Sequence, residues 1–355
     1  MKYVLPVLIG LLALSGMDCR KNPVGPPSGA DTTSNSFTFQ TYTFGAANAG
    51  SSYLQDVAVI NDTDAWAVGT VYLDSADGAP DPFPYNAVHW DGTNWTPEQI
   101  RVPFRGNTII PPLYGAFAFS PTEVWLCGDV ALYGNGTTWT TYDVRLLTGY
   151  DSLFVTKCWG TNPSNMYFCG MNGSLVHYVS GSWTKITSGT DLSFDDIYGS
   201  GDEILAVAYD AAEIHGYSGA LYSISGNTAT ELSIYPLQLP SALYGVWFVP
   251  NQRYYLVGEG VYEKSSLSDS TWTTLPITGA ATTGVRGNGT NDVYVVSSTG
   301  DFLHWNGERW KSFRAETGLN GGGYSMVGVN GKLVIAVGST NSGITQAAIT
   351  VARRN

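Results

Sequence analysis

The sequence predicts an all-β protein, a seven-bladed β-propeller of four-stranded antiparallel blades closed by an N-terminal strand. Three observations carry this. One motif recurs seven times at a mean spacing of about 45 residues, the length of a four-stranded blade. The strand inside that motif is apolar at consecutive rather than alternate positions. The composition, with 42 glycines, 13% aromatic and only 13% charged residues, is that of a turn-rich β protein.

The motif is a turn with Asn, Asp, Pro or Ser, then four apolar residues, then a small one. It runs over Asn61–Gly69, Ser120–Gly128 and Asn162–Gly170, and later copies end at Ala208, Gly258, Ser297 and Gly338. Ala65, Trp66, Ala67 and Val68 are apolar in succession, as in a strand buried on both faces. A blade between two neighbours meets that condition, whereas a sandwich with one wet face would alternate. A second motif follows most copies. It is strongest at Val88–Trp95 and Phe302–Trp310, weaker at Leu132–Trp139, Val176–Trp183 and Leu221–Gly226, and degenerate over Val261–Trp272. Its Asp-Gly, Asn-Gly or Ser-Gly pair supplies the positive φ of a tight hairpin. The seventh copy leaves room for three strands only, ending in Thr345–Val351. The alternating segment Ser36–Phe44 is expected to supply the fourth and close the ring, which removes the exposed edges of a linear array.

Trp159-Gly160 and Tyr198-Gly199, with Asn291–Val296 and Thr63–Gly69, match a repeat of the form VWG, NDVWAVG, HWDGxxW. In these residues the chain resembles bacterial lipoprotein-type propellers related to the sialidase-like and photosystem-assembly-factor-like groups. The resemblance covers roughly residues 37 to 352 and implies the fold; propellers host many functions.

Ahead of the repeat, Lys2 and the apolar run Val4–Leu14 read as an export signal, too short for a bilayer, which needs about 20 residues. Cys19 follows it and resembles a lipoprotein acylation site. The expected organisation is a signal peptide over 1–18, a lipidated Cys19 with a Pro-, Gly- and Ser-rich tether over 19–36, and the propeller over 37–355. That places the protein outside the cytoplasm, anchored by lipid at the outer membrane or cell surface. The net charge of −12 disfavours nucleic acid as a partner.

In a meandering blade the connections from fourth to first strand and from second to third share one face, and the longer loops fall there. The largest insertion, Thr70–Asn86, holds Asp74, Asp77, Asp81, Phe83 and Tyr85; its neighbour holds Arg105 and Asn107, and blade four adds His215 and Tyr217. These are the candidate ligand-binding residues, with Phe83 and Tyr85 as stacking platforms for a glycan or peptide. No cofactor is expected. Calcium at Asp74, Asp77 and Asp81 is the one exception the spacing leaves open, without the register of an EF-type loop. His89, His177 and His304 occupy equivalent third-strand positions in non-adjacent blades and read as structural. Cys158 and Cys169 lie nearly opposite across a hairpin, but with Cys127 they read best as small buried apolar residues.

No nucleophile elbow, P-loop or zinc spacing occurs. The Gly-x-x-Trp hairpins at Gly92–Trp95 and Gly307–Trp310 are similar to those of sialidases, but Asp91 directly precedes Gly92, so the Asp-box is not matched. No catalytic residue is assigned. The expected function is a monomeric surface module that binds a glycan, a peptide or a cell-surface protein. The alternative is a carbohydrate-active enzyme, a glycosidase or glucosyltransferase-like protein using top-face carboxylates.

Overall fold

The computed structural model describes residues 32–46, 49–210, 219–232, 242–277, 279–341 and 345–355. Cys19 and the segments expected to be an export signal and most of a tether lie outside them, as do His215 and Tyr217. The described chain forms seven four-stranded antiparallel sheets and one extra two-stranded hairpin. The innermost strands of blades one to seven are Tyr53–Asn61, Leu113–Ser120, Phe154–Asn162, Ser193–Ser200, Leu243–Val249, Thr282–Gly289 and Gly323–Asn330. Each packs on the next, and the seventh returns to the first, so the sheets close a ring.

Closure follows the expectation. Phe37–Phe44 pairs antiparallel with Ala347–Arg354, from Phe37 opposite Arg354 to Phe44 opposite Ala347, and is the outermost strand of blade seven. Alternation sends Phe37 and Phe39 into the layer between blades six and seven, and Tyr42 and Phe44 into the layer between seven and one. Just before it, Thr33 donates its N–H to Asn306 O (3.0 Å), and Asn35 Oδ1 lies 2.8 Å from His304 Nδ1. Residues 33–35 are therefore seated on blade six.

Seven apolar layers fill the seven blade interfaces. The second strands run through them: Ala65–Val68, Val124–Cys127 and Val293–Val296 are all essentially inaccessible. Trp66, Trp125 and Trp247 are each at most 2% exposed, so each contributes on the order of 2–3 kcal/mol by burial. The small residue ending the motif has a steric reason. A Cβ on Gly128 would stand 2.0 Å from Pro112 O, and one on Gly258 2.0 Å from Ala242 O, each the residue that leads into the neighbouring inner strand.

The two motifs meet through their polar residues. His89 Nε2 lies 3.0 Å from Asp64 Oδ1, His177 Nε2 2.7 Å from Asn165 Oδ1, and His304 Nε2 2.9 Å from Asp292 Oδ1. Each imidazole also stacks on the aromatic ring two residues further along, with centroids 4.2 Å apart at Trp66, 4.1 Å at Tyr167 and 4.5 Å at Tyr294. These histidines tie third strand to second within a blade, which is the structural role the repeat implied.

Cys127, Cys158 and Cys169 are free and buried. Cys158 faces Phe168 in the register, while it shares the apolar layer between blades two and three with Cys127, a proximity that strand spacing did not show. Burial, first of all, pushes the Cys158 and Cys169 thiols well above the ordinary range, which makes them poor nucleophiles. Thiol titration of the denatured, unreduced domain from residue 32 is expected to count all three; a count of one would mean a disulfide.

Candidate functional site: the central channel and its mouth

All seven inner strands carry a β-bulge at the same place. The register skips one residue at Gln55, Tyr114, Thr156, Asp195, Tyr244, Thr283 and Ser325. A bulge re-aims side chains that strict alternation would send into the blade interfaces. Gln55, Asp195, Tyr244, Thr283 and Ser325 consequently line a mouth of about 400 Å³ where the inner strands begin, on the face of the long connections. The next residues, Asp56, Lys157 and Asp196, line a narrower cavity of about 180 Å³, together with Phe117, Trp159, Tyr198, Trp247 and Arg286. Lys157 borders both. The aromatic positions owe their room to glycine: a Cβ on Gly199 would lie 2.4 Å from the Trp159 ring, and one on Gly287 2.8 Å from that of Trp247.

Two ion pairs cross the channel. Arg286 holds Asp196 through two hydrogen bonds of 2.8 Å, and Lys157 Nζ lies 3.2 Å from Asp56 Oδ2. Each of these carboxylates also accepts a backbone N–H from the following blade, Asp56 from Ala116 (3.0 Å) and Asp196 from Val246 (3.1 Å). Both donors follow a glycine, Gly115 or Gly245, so no side chain blocks the carboxylate. Burial works against the Arg286 charge, but Asp196 and then Asp56 outweigh it and hold its pKa above the ordinary value. Burial likewise opposes the Lys157 charge, and Asp56, Asp196 and Asp195 outweigh it and raise it.

Asp195 differs. Among the described residues its carboxylate makes no hydrogen bond or ion pair, and burial raises its pKa to about 7 against the opposing effect of Lys157, with Asp196 and Asp56 adding to the rise. Its ionised form is therefore disfavoured by the fold. The sign follows: the stability present below the unfolded pKa near 3.8 is lost as pH rises through about 7. Asp195→Asn is expected to stabilise the domain above pH 7 by about 1–3 kcal/mol, discounted for partial exposure, and to change little at pH 4. Urea unfolding at the two pH values measures this; an equal effect at both would contradict the assignment.

The sequence-derived candidates lie outward of the channel. Asp81, Phe83 and Tyr85 come together: the Tyr85 hydroxyl donates to Asp81 Oδ2 (3.3 Å), and Arg101 lies over the exposed Phe83 ring at 5.3 Å. Asp77 accepts the Ala79 N–H (3.1 Å), and Asp74 bridges to Pro80, so both are tied into their own loop. Among the described residues no group of three or more His, Cys, Asp or Glu side chains is arranged to hold a metal. Arg105 pairs with Asp143 (2.6 Å), and Asn107 lies in the extra hairpin of Val102–Phe104 with Asn107–Ile109. A cleft of about 560 Å³, lined by Tyr53, Tyr72, Pro84, Asn86, Pro112 and Tyr114, runs beside this insertion. Asp56, Lys157, Asp195, Asp196 and Arg286 were not among the candidates. Their signal was a charge within a short apolar inner strand, visible in Tyr53–Asn61 and Ser193–Ser200 but without meaning until the bulge is known.

No family model matches the sequence, and no curated protein matches it. Solved structures do. A YCF48 bound to D1 peptide superposes with a TM-score of 0.65 at 12% identity, covering 91% of this chain and 99% of that one. A catalytically inactive virginiamycin B lyase from Staphylococcus aureus with quinupristin gives 0.59 at 11%, covering 88% and 99%. The WD40 β-propeller domain of Doa1 gives 0.59 at 11%, covering 91% and 98%. At such identities the likeness is one of fold, and this chain is a seven-bladed β-propeller.

Proposed function

We propose that this protein is an exported, lipid-anchored, monomeric propeller that binds a peptide segment of a partner protein at the channel mouth, without catalysis. The observation that carries the reading is the mouth itself: open, lined by polar bulge residues and Tyr244, and holding one carboxylate that the fold leaves unpaired. A second cleft lies beside Thr70–Asn86, with Phe83 and Tyr85 on the insertion. A YCF48 structure is described as bound to D1 peptide, which shows that a propeller of this shape holds a peptide. A glycan is the other ligand class for the same aromatic and polar surface.

The enzymatic alternative needs two working carboxylates flanking the scissile bond, about 5–10 Å apart. Asp56 and Asp196 are each engaged by a cation and a backbone N–H, which leaves Asp195 without a free carboxylate beside it in the channel lining. This favours binding over glycoside chemistry.

Peptide-array and glycan-array probing of the domain from residue 32 tests the reading. Peptides captured by the wild type and lost on Tyr244→Ala support it; capture of glycans alone would overturn it. For the anchor, Cys19→Ala is expected to release the protein from the membrane fraction.

A further inference from the structure

We propose that the mouth takes an ammonium or guanidinium group, the head of a lysine or arginine side chain, with Asp195 as counter-ion and Tyr209 and Tyr244 as aromatic walls. This rests on the peptide-binding reading and names the side chain that such a ligand inserts.

The charge inventory is the first argument. Among the described residues five carboxylate, ammonium or guanidinium side chains line the channel and its mouth, and two ion pairs account for four of them: Asp56 with Lys157, and Asp196 with Arg286. Asp195 is the unmatched fifth, and the missing charge is positive. Position is the second. Asp195 is the bulge residue of blade four and lines the mouth, half-buried, where a ligand arrives before reaching the paired charges below. Tyr209 and Tyr244 supply the third. Tyr244 lines the mouth, the Tyr209 ring meets it edge to face with centroids 5.4 Å apart, and burial first and then the Asp195 charge raise both phenols. A carboxylate flanked by aromatic rings suits a cation on an apolar stem, which gains from charge and ring quadrupole together.

Other ligands fit less well. A divalent metal needs several oxygen ligands, and the mouth offers one free carboxylate with the Lys157 ammonium on its border. An anion would face the unmatched Asp195. A long, singly charged side chain reaches Asp195 while Lys157 stays bound to Asp56.

The pH dependence follows from the groups around Asp195. Lys157 and Arg286 are held charged, Tyr209, Tyr244 and the buried Cys169 thiol are held neutral, and Asp56 and Asp196 are ion-paired. Asp195 is thus the group that changes charge near neutrality, and cation binding should weaken as pH falls from 8 to 6.

The test is ligand-observed NMR on the domain from residue 32 with n-butylammonium, n-butylguanidinium and n-butanol at millimolar concentration. A peptide pair differing only by Lys against norleucine is measured in parallel. The expected result is binding of both cations but not butanol, weaker at pH 6 than at pH 8. Asp195→Asn should lose about tenfold or more in affinity, and Asp202→Asn, on an exposed turn at the other end of the inner strand, should not. Undiminished binding by Asp195→Asn, equal binding of butanol, or no binding of either cation would overturn the inference. Peptides captured regardless of lysine and of Asp195 would sink this site and leave the binding module standing. Asp195-dependent binding of the small cations with no peptide captured would do the reverse.

Discussion

Replacing Arg286 with methionine is expected to destabilise the propeller by about 3–5 kcal/mol, the cost of leaving one member of a buried pair alone. The Asp196 side chain is 1% exposed, and without the guanidinium it would keep only the Val246 N–H as a partner. The methionine itself fits the aromatic wall formed by Tyr198 and Trp247, so lost packing is a minor part of the effect. Urea unfolding at pH 7 measures the loss. Adding Asp196→Asn to the same chain removes the stranded charge and should recover part of the stability, giving a double variant less destabilised than Arg286→Met alone. A loss below about 1 kcal/mol for the single variant would mean that water reaches Asp196 and screens the pair, against the burial of that carboxylate.

The second large effect is expected at Asp292, where the closure of the ring is held. Its carboxylate lies 2.9 Å from His304 Nε2, accepts from Asn288 Nδ2 at 2.6 Å, and pairs with Arg354 of the C-terminal strand. His304 is inaccessible and also contacts Asn35, so this group ties blade six to blade seven and to the chain entering it. Burial raises the Asp292 pKa, but the hydrogen bonds from His304, Arg354 and Asn288 outweigh it and hold the carboxyl down at about 2. A depressed folded pKa stabilises above the unfolded value near 3.8, and that stability is lost as pH falls through 2. Asp292→Ala is therefore expected to cost about 2–4 kcal/mol at pH 7 and to flatten the acid limb of stability between pH 4 and 2. Thermal unfolding midpoints at pH 7, 4 and 2 decide it. A variant that keeps the wild-type slope over that acid interval would remove Asp292 as its source.

Much of this architecture could be read from residues alone because a propeller repeats one local solution. The run Ala65–Val68, the Gly-containing hairpin at Asp91–Gly92 and the alternating Phe37–Phe44 each state a local preference, and each preference agrees with the blade it builds. The histidines at 89, 177 and 304 were likewise legible as structural, since equivalent third-strand positions in non-adjacent blades lie far apart. The candidate site was less legible. Long, variable loops such as Thr70–Asn86 attract a functional reading by length and composition, whereas the charged channel residues are scattered over four blades and more than 200 positions, from Asp56 to Arg286.

The seven-bladed ring itself was determined by the sequence, because blade count and strand order follow from a period and from turn chemistry, which are local properties. The strand Phe37–Phe44 could be assigned to blade seven for the same reason: an alternating strand without a partner matched a blade lacking its fourth. Only the tertiary structure decided what lies at the centre of that ring. A one-residue bulge in each inner strand turns Gln55, Asp195, Tyr244, Thr283 and Ser325 to the mouth, and closure brings Asp56 to Lys157 and Asp196 to Arg286. Those pairings join residues about 90–100 positions apart, with their strength set by the burial of Asp56 and Asp196. No local pattern encodes that environment, which is why the unpaired charge of Asp195 emerges only when the ring is complete.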